Sequence, residues 1–161
     1  MTMRCGCGAV ECAVTGAPIL GAVCYCDDCQ AGAKQIEALP GAVPVHGADG
    51  GTPYLLYRKD RVTCVKGAEH LTGYRLKEGS PSARMVAGCC NTALYFDFSK
   101  GHWFSVYRDR LPEAPGPTLR VCTKFAPDKA AIPGDLPSYA MYPLSFVGKL
   151  LGARLAMLVG R

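Results

Sequence analysis

Residues 21–29, Gly-Ala-Val-Cys-Tyr-Cys-Asp-Asp-Cys, decide how this chain is read. The apolar half is strand-like, and it runs directly into a CxCxxC knuckle formed by Cys24, Cys26 and Cys29. Three thiolates in one short turn can occupy three corners of a tetrahedron about 2.3 Å from a zinc ion. The fourth corner is then either open, as in catalytic sites, or closed by a cysteine from elsewhere, with Cys12, Cys64 and Cys122 as candidates.

Outward from the knuckle, short apolar or alternating runs follow one another between Gly, Pro and Asp. They are Val10, Cys12 and Val14, then VPV at 43–45, YLLY at 54–57, VTCVK at 62–66, LTGYRL at 71–76, ALYFDF at 93–98 and WFSVY at 103–107. No amphipathic helical stretch is expected among them, so residues 1–111 are expected to form an antiparallel, mainly β domain. From residue 112 prolines become dense (Pro112, Pro115, Pro117, Pro127, Pro133, Pro137, Pro143), which predicts an irregular strap laid over that domain. Residues 144–159 are apolar with only Lys149 and Arg154 charged, and predict a C-terminal helix too short to span a membrane comfortably. Gly148, Gly152, Ala156 and Gly160 form a small-residue stripe on it. The helix is expected to pack on its own domain, with homodimer or membrane-surface contact as the alternatives.

The chain has 161 residues, ten of them cysteine, enough to build a core without staples. Pairs such as Cys5-Gly6-Cys7 and Cys24-Tyr25-Cys26 are too close for easy mutual bridging but readily aim two sulfurs at one ion. The start, MTMRCGCGAVEC, has no basic region followed by a long apolar run, so the expected compartment is the cytoplasm and the expected cysteine chemistry is zinc binding. A net charge of +5 without a clustered patch suits an anionic small molecule and argues against nucleic acid. Cys5 and Cys7 look like half of a second site, with Cys89 and Cys90 as the best candidates for the other half if the chain turns at Gly88 and Asn91. Cys12, Cys64 and Cys122 are read as core, and His46, His70 and His102 as surface or capping residues.

The order CGCGxV, CxCxxC and a cysteine segment ending in C(G/N)TxL resembles the glutathione-dependent formaldehyde-activating enzyme family, which includes the centromere protein V type domain. The resemblance covers roughly residues 4–107 and implies a β-tent of antiparallel sheets with two zinc sites. It implies that Cys5, Cys7 and Cys90 are structural ligands, and that Cys24, Cys26 and Cys29 are the catalytic ones. The branch is divergent. Ala87 stands where the family's late CxxC has its first cysteine, so the fourth structural ligand is missing or displaced to Cys89; Tyr25 stands where His is common; and QAGAKQ follows the knuckle in place of a longer basic turn. The implied activity is a carbon-sulfur lyase or synthase that adds glutathione or a similar thiol to formaldehyde or a similar aldehyde, with one or two Zn2+ per chain. Arg58, Lys59 and Arg61 are the expected attractors of an anionic tripeptide. The alternatives are a non-catalytic zinc module for a protein or membrane partner, and a thiol-based sensor in which Cys89-Cys90 or the knuckle oxidises and releases zinc.

Overall fold

The structure is a computed structural model that describes residues 1–160. Ten strands and two helices form two sheets. Strands β1 (Thr2–Arg4), β2 (Glu11–Val14) and β5 (Val62–Lys66) make a small antiparallel sheet. The large sheet has seven strands in the order β10-β3-β4-β9-β8-β7-β6. These are β3 (Leu20–Cys24), β4 (Thr52–Arg58), β6 (Leu71–Tyr74), β7 (Ser82–Ala87), β8 (Thr92–Phe98), β9 (Trp103–Tyr107) and β10 (Leu119–Val121).

Alternation along the central strands gives the large sheet two buried faces. On β4, Tyr54 and Leu56 join one core with Ala22, Cys24, Ile36 and Val121, while Leu55 and Tyr57 join the other with Met3, Cys5, Val10, Leu94 and Val106. The first face is covered by helix α1 (Asp27–Glu37) and by the C-terminal segment, and the second includes β1 and β2 of the small sheet. A sheet buried on both faces reads as continuous apolar runs, which is how YLLY and ALYFDF look.

Three expectations need correction. Helix α1 interrupts the strands where none was expected. Cys26 is its N-cap, Asp27 and Asp28 lie in the first turn where the helix dipole favours negative charge, and Gly32, Ala33 and Ile36 face inward at helical spacing. The metal-ligand look of CYCDDC concealed a helix start. Residues 43–45 are not a strand: Pro44 cannot donate to a ladder, and the Val45 N–H is taken by Glu37 Oε1 at 2.6 Å. The proline-rich segment is also not wholly irregular, because it contributes β10, which pairs in parallel with β3, Val121 opposite Cys24.

The proline-rich segment lies against β3. Gly21 makes this possible, since a Cβ there would meet the Gly116 carbonyl oxygen and the Pro117 Cα at 3.0 Å, and the Thr118 N–H bonds the Gly21 carbonyl at 3.0 Å. A buried polar network then pins the segment to the knuckle. Arg120 donates to the Tyr25 hydroxyl at 2.7 Å and to Asp135 at 2.7 Å and lies 3.3 Å from Asp49, while the Tyr25 hydroxyl donates to Asp49 at 2.6 Å. Tyr25 is thus a fully buried tyrosine with a packing and hydrogen-bonding role.

Helix α2 (Leu144–Leu158) is present as expected, but it is anchored by few side chains. Phe146 is its one buried residue and Leu150 packs beside it, while Leu144, Leu151, Leu155 and Leu158 are exposed. Nothing lies within 4 Å of a Cβ placed on Gly148 or Gly152. No helix among the described residues is long and apolar enough to cross a membrane.

The network predicts unequal costs for its parts. Arg120→Met, which leaves Asp49 partly buried with no cation beside it and only the Tyr25 hydroxyl and the Gly51 N–H as donors, should lower the unfolding free energy by about 3 kcal/mol, whereas Asp135→Asn at the exposed partner should cost under about 1 kcal/mol. Urea midpoints of the two variants check the difference.

Candidate metal centres and the adjoining cavity

Cys5, Cys7, Cys89 and Cys90 converge so that their sulfurs all lie within 4.8 Å of one another. The Cys5–Cys7 separation is 3.6 Å, Cys5–Cys89 3.7 Å, Cys7–Cys89 3.4 Å and Cys89–Cys90 3.9 Å, and no cysteine of the chain is disulfide-bonded. Tetrahedral zinc with sulfurs at about 2.3 Å requires sulfur-sulfur edges of about 3.8 Å, so the four side chains fit such an ion. Adjacent cysteines reach one point because the chain turns: the Cys90 N–H bonds the Ala87 carbonyl at 3.2 Å, and Asn91 adopts φ 52°, a left-handed conformation that Asn tolerates. Ala87 is fully buried in the apolar core, and Cys89 brings the fourth sulfur that Ala87 cannot supply. Amide and hydroxyl groups orient the sulfurs. The Val10 N–H lies 3.2 Å from Cys5 Sγ, Thr92 Oγ1 lies 3.1 Å from Cys90 Sγ, and the same oxygen accepts from the Gly6 N–H at 3.0 Å.

The second cluster, Cys24, Cys26 and Cys29, serves the other face of the sheet. Cys24 ends β3, Cys26 caps α1, and Cys29 lies one turn in, its N–H bonded to the Cys26 carbonyl at 3.0 Å. Contact with Cys24, and then with Cys29, pushes the Cys26 thiol down to about 3, while hydrogen bonds to Cys122, Cys26 and Cys29, with burial, push Cys24 up. Three sulfurs at this spacing share protons, and ionising all of them needs a cation between them. Cys122, read from the sequence as core, is buried at φ 59°, and the neighbouring Cys24 brings its thiol down to about 7. It is not a member of the group whose sulfurs all lie within 4.8 Å of one another.

Cys24, Cys26 and Cys29 form part of the wall of a cavity of about 370 Å3. Tyr54, Phe96, Phe98, Trp103, Tyr142 and Phe146 supply most of the remaining wall. The Tyr142 hydroxyl lies 4.0 Å from Cys24 Sγ. Arg84 also lines the cavity and is 1% exposed.

The structure leaves several sequence-expected residues away from this centre. Arg58 and Lys59 are ion-paired with Asp60 and Asp97, and neither they nor Arg61 lines the cavity, so they do not supply its cation. His46 bonds Glu37 at 2.7 Å, and no histidine joins either cluster. Arg84, Tyr142 and Phe146 were not singled out from the sequence. Arg84 carried one signal, a charge within the apolar strand segment ARMVA.

The sequence model of the glutathione-dependent formaldehyde-activating enzyme family matches residues 1–108, well over half of the chain, and the chain belongs to that family. No curated protein matches. A structural-genomics crystal structure of a Rhodobacter sphaeroides protein superposes with a TM-score of 0.51 at 19% identity, covering 86% of this chain and 99% of that one; at that identity the likeness is one of fold.

Each cluster could hold a metal ion. Elemental analysis of protein purified without chelator should find two ions per chain. Cys26→Ala should remove one and leave a cooperative unfolding transition, while Cys5→Ala should remove the other together with that transition, because a structural zinc contributes on the order of 10 kcal/mol to folding.

Proposed function

We propose that this member of the formaldehyde-activating family adds a thiol to a small aldehyde, reversibly making one carbon-sulfur bond, with Zn2+ held by Cys24, Cys26 and Cys29. The family's own named chemistry supports glutathione and formaldehyde as the pair. The observation that carries the reading is the asymmetry of the clusters. Cys5, Cys7, Cys89 and Cys90 offer four mutually close sulfurs, a complete set for a structural ion, while Cys24, Cys26 and Cys29 offer three and face a cavity. In this reading the residues from 112 onward are not a separate unit but the cavity's outer wall, through Val121, Tyr142 and Phe146.

Zinc, when bound by the three sulfurs, supplies the Lewis acidity that makes an incoming thiol give up its proton near neutral pH. The sulfur pair attacks the carbonyl carbon, the carbonyl π pair moves to oxygen, and that oxygen takes up one proton, so the thiol and aldehyde protons balance in the hydroxyalkyl thioether. Tyr142 is placed to hold that proton at its phenol oxygen, which is a donor at neutral pH. Phe96, Phe98, Trp103 and Phe146 exclude water, strengthen the local electrostatics and hold the two reactants together.

A second reading, a binding module, is favoured by one observation, the exposed leucines of α2. Under it, Leu151→Glu with Leu155→Glu would lower the sedimentation coefficient or the retention on vesicles.

On the enzymatic reading, glutathione should change the visible spectrum of cobalt-substituted protein at one of two metal sites, and formaldehyde should then be consumed. Tyr142→Phe should retain both metals and lower kcat by about 10- to 100-fold, as expected for loss of a positioned proton donor. An unchanged cobalt spectrum at saturating thiol would sink the proposal.

A further inference from the structure

Arg84 is a buried cation without a carboxylate. Arg84 lines the cavity, is 1% exposed, and forms no ion pair within 4 Å among the described residues. Nη2 donates to the backbone carbonyl of Asp28, the ring of Phe96 lies 5.3 Å from the guanidinium carbon, and Nε has no partner. The fold makes room for the group: a Cβ on Gly32 of α1 would coincide with Nε, Cζ and Nη2, so a glycine stands where any other residue would expel the guanidinium. A charge held out of water with one carbonyl and one ring is a costly arrangement unless an anion completes it.

The rest of the cavity limits what that anion can be part of. Arg84 and Asp28 are the only charged side chains in its wall, and the aromatic side chains dominate it. Besides these two charges the wall's polar side chains are Ser82, Ser105, Tyr54 and Tyr142. Resting on the thiol-addition reading, we infer that Arg84 is the receptor for a carboxylate on the substrate, and that this chain prefers an apolar thiol bearing one such group. The carboxylate pairs with the Arg84 guanidinium, the apolar body fills the space between Phe96, Phe98 and Trp103, and the thiol points toward Cys24, Cys26 and Cys29. Arg84 is thus a specificity-determining residue.

Trp103 lines the cavity and is the chain's single tryptophan, so its fluorescence reports occupancy without any thiol chemistry. Zinc-loaded full-length protein is titrated with 3-phenylpropanoate and with 3-phenylpropan-1-ol, which differ only in the anionic group. The carboxylate should bind at least about tenfold more tightly, the range of a charge-assisted hydrogen-bonded pair. Arg84→Met should erase that preference, and Arg84→Lys, which keeps the charge but not the fork, should retain part of it. Equal binding of the two ligands, binding of neither, or a preference that survives Arg84→Met overturns the inference, as does loss of zinc in Arg84→Lys with the preference intact, which would assign the cation to balancing the thiolates.

A cobalt arm separates this failure from that of the underlying reading. If 3-mercapto-3-phenylpropanoate leaves the cobalt spectrum unchanged while Trp103 still discriminates, thiol addition falls and the anion site stands. If thiols alter the spectrum but the carboxylate makes no difference, the anion site falls and thiol addition stands.

Discussion

Sulfur atoms held 3.4–3.9 Å apart without a bond between them are the constraint on which this fold depends. Cys5 and Cys7 belong to the N-terminal turn and Cys89 and Cys90 to the turn between β7 and β8, so one group of sulfurs joins the small sheet to the far side of the large one. The apolar contacts around Met3, Val10 and Leu94 fill the space so defined. On the opposite face Cys24, Cys26 and Cys29 join the end of a strand to the start of a helix, and the space beside them is left as a cavity. One sheet therefore separates a four-sulfur group with two exposed members from a more buried three-sulfur group that lines a cavity.

Much of this was legible in the sequence because thiol spacing is a short-range signal. CxC and CxxC fix which sulfurs can share a point whatever the surrounding fold, and alternating apolar runs locate strands. The turn that brings Cys89 and Cys90 together was visible in Gly88 and Asn91. Helix α1 was not, because its inward face is made of glycine and alanine as well as Ile36, which carry little periodic apolar signal, and because its first turn is also the knuckle. Nor could spacing show that Cys122, nearly a hundred residues from Cys24, returns beside it on a parallel strand and a left-handed turn. Arg58, Lys59 and Arg61, the expected attractors of an anionic tripeptide, do not line the cavity, and Arg58 and Lys59 are paired with carboxylates, whereas Arg84, buried in β7, does line it.

The part of the chain beyond the family match is not an ornament. Val121, Tyr142 and Phe146 are cavity wall, and Arg120 ties the knuckle's Tyr25 to Asp49 and Asp135. Tyr25 and Arg120 therefore act together, each completing the other's hydrogen bonding. Both cysteine clusters lie within the residues matched by the family model, while the segment beyond it completes the cavity wall beside one of them.

The parallel pairing of β10 with β3 also sets an order of events on the ribosome. Residues 1–108 emerge with both sulfur groups complete, but the wall over Cys24 arrives only with Val121, Tyr142 and Phe146. At about 5–20 residues per second, the stretch between Cys29 and Tyr142 takes on the order of ten seconds to synthesise. During that interval the knuckle is open to whatever delivers metal to nascent chains, and it is also open to oxidants and competing ions. The surroundings those sulfurs meet during synthesis therefore differ from those in the finished chain, where Val121, Tyr142 and Phe146 stand beside them.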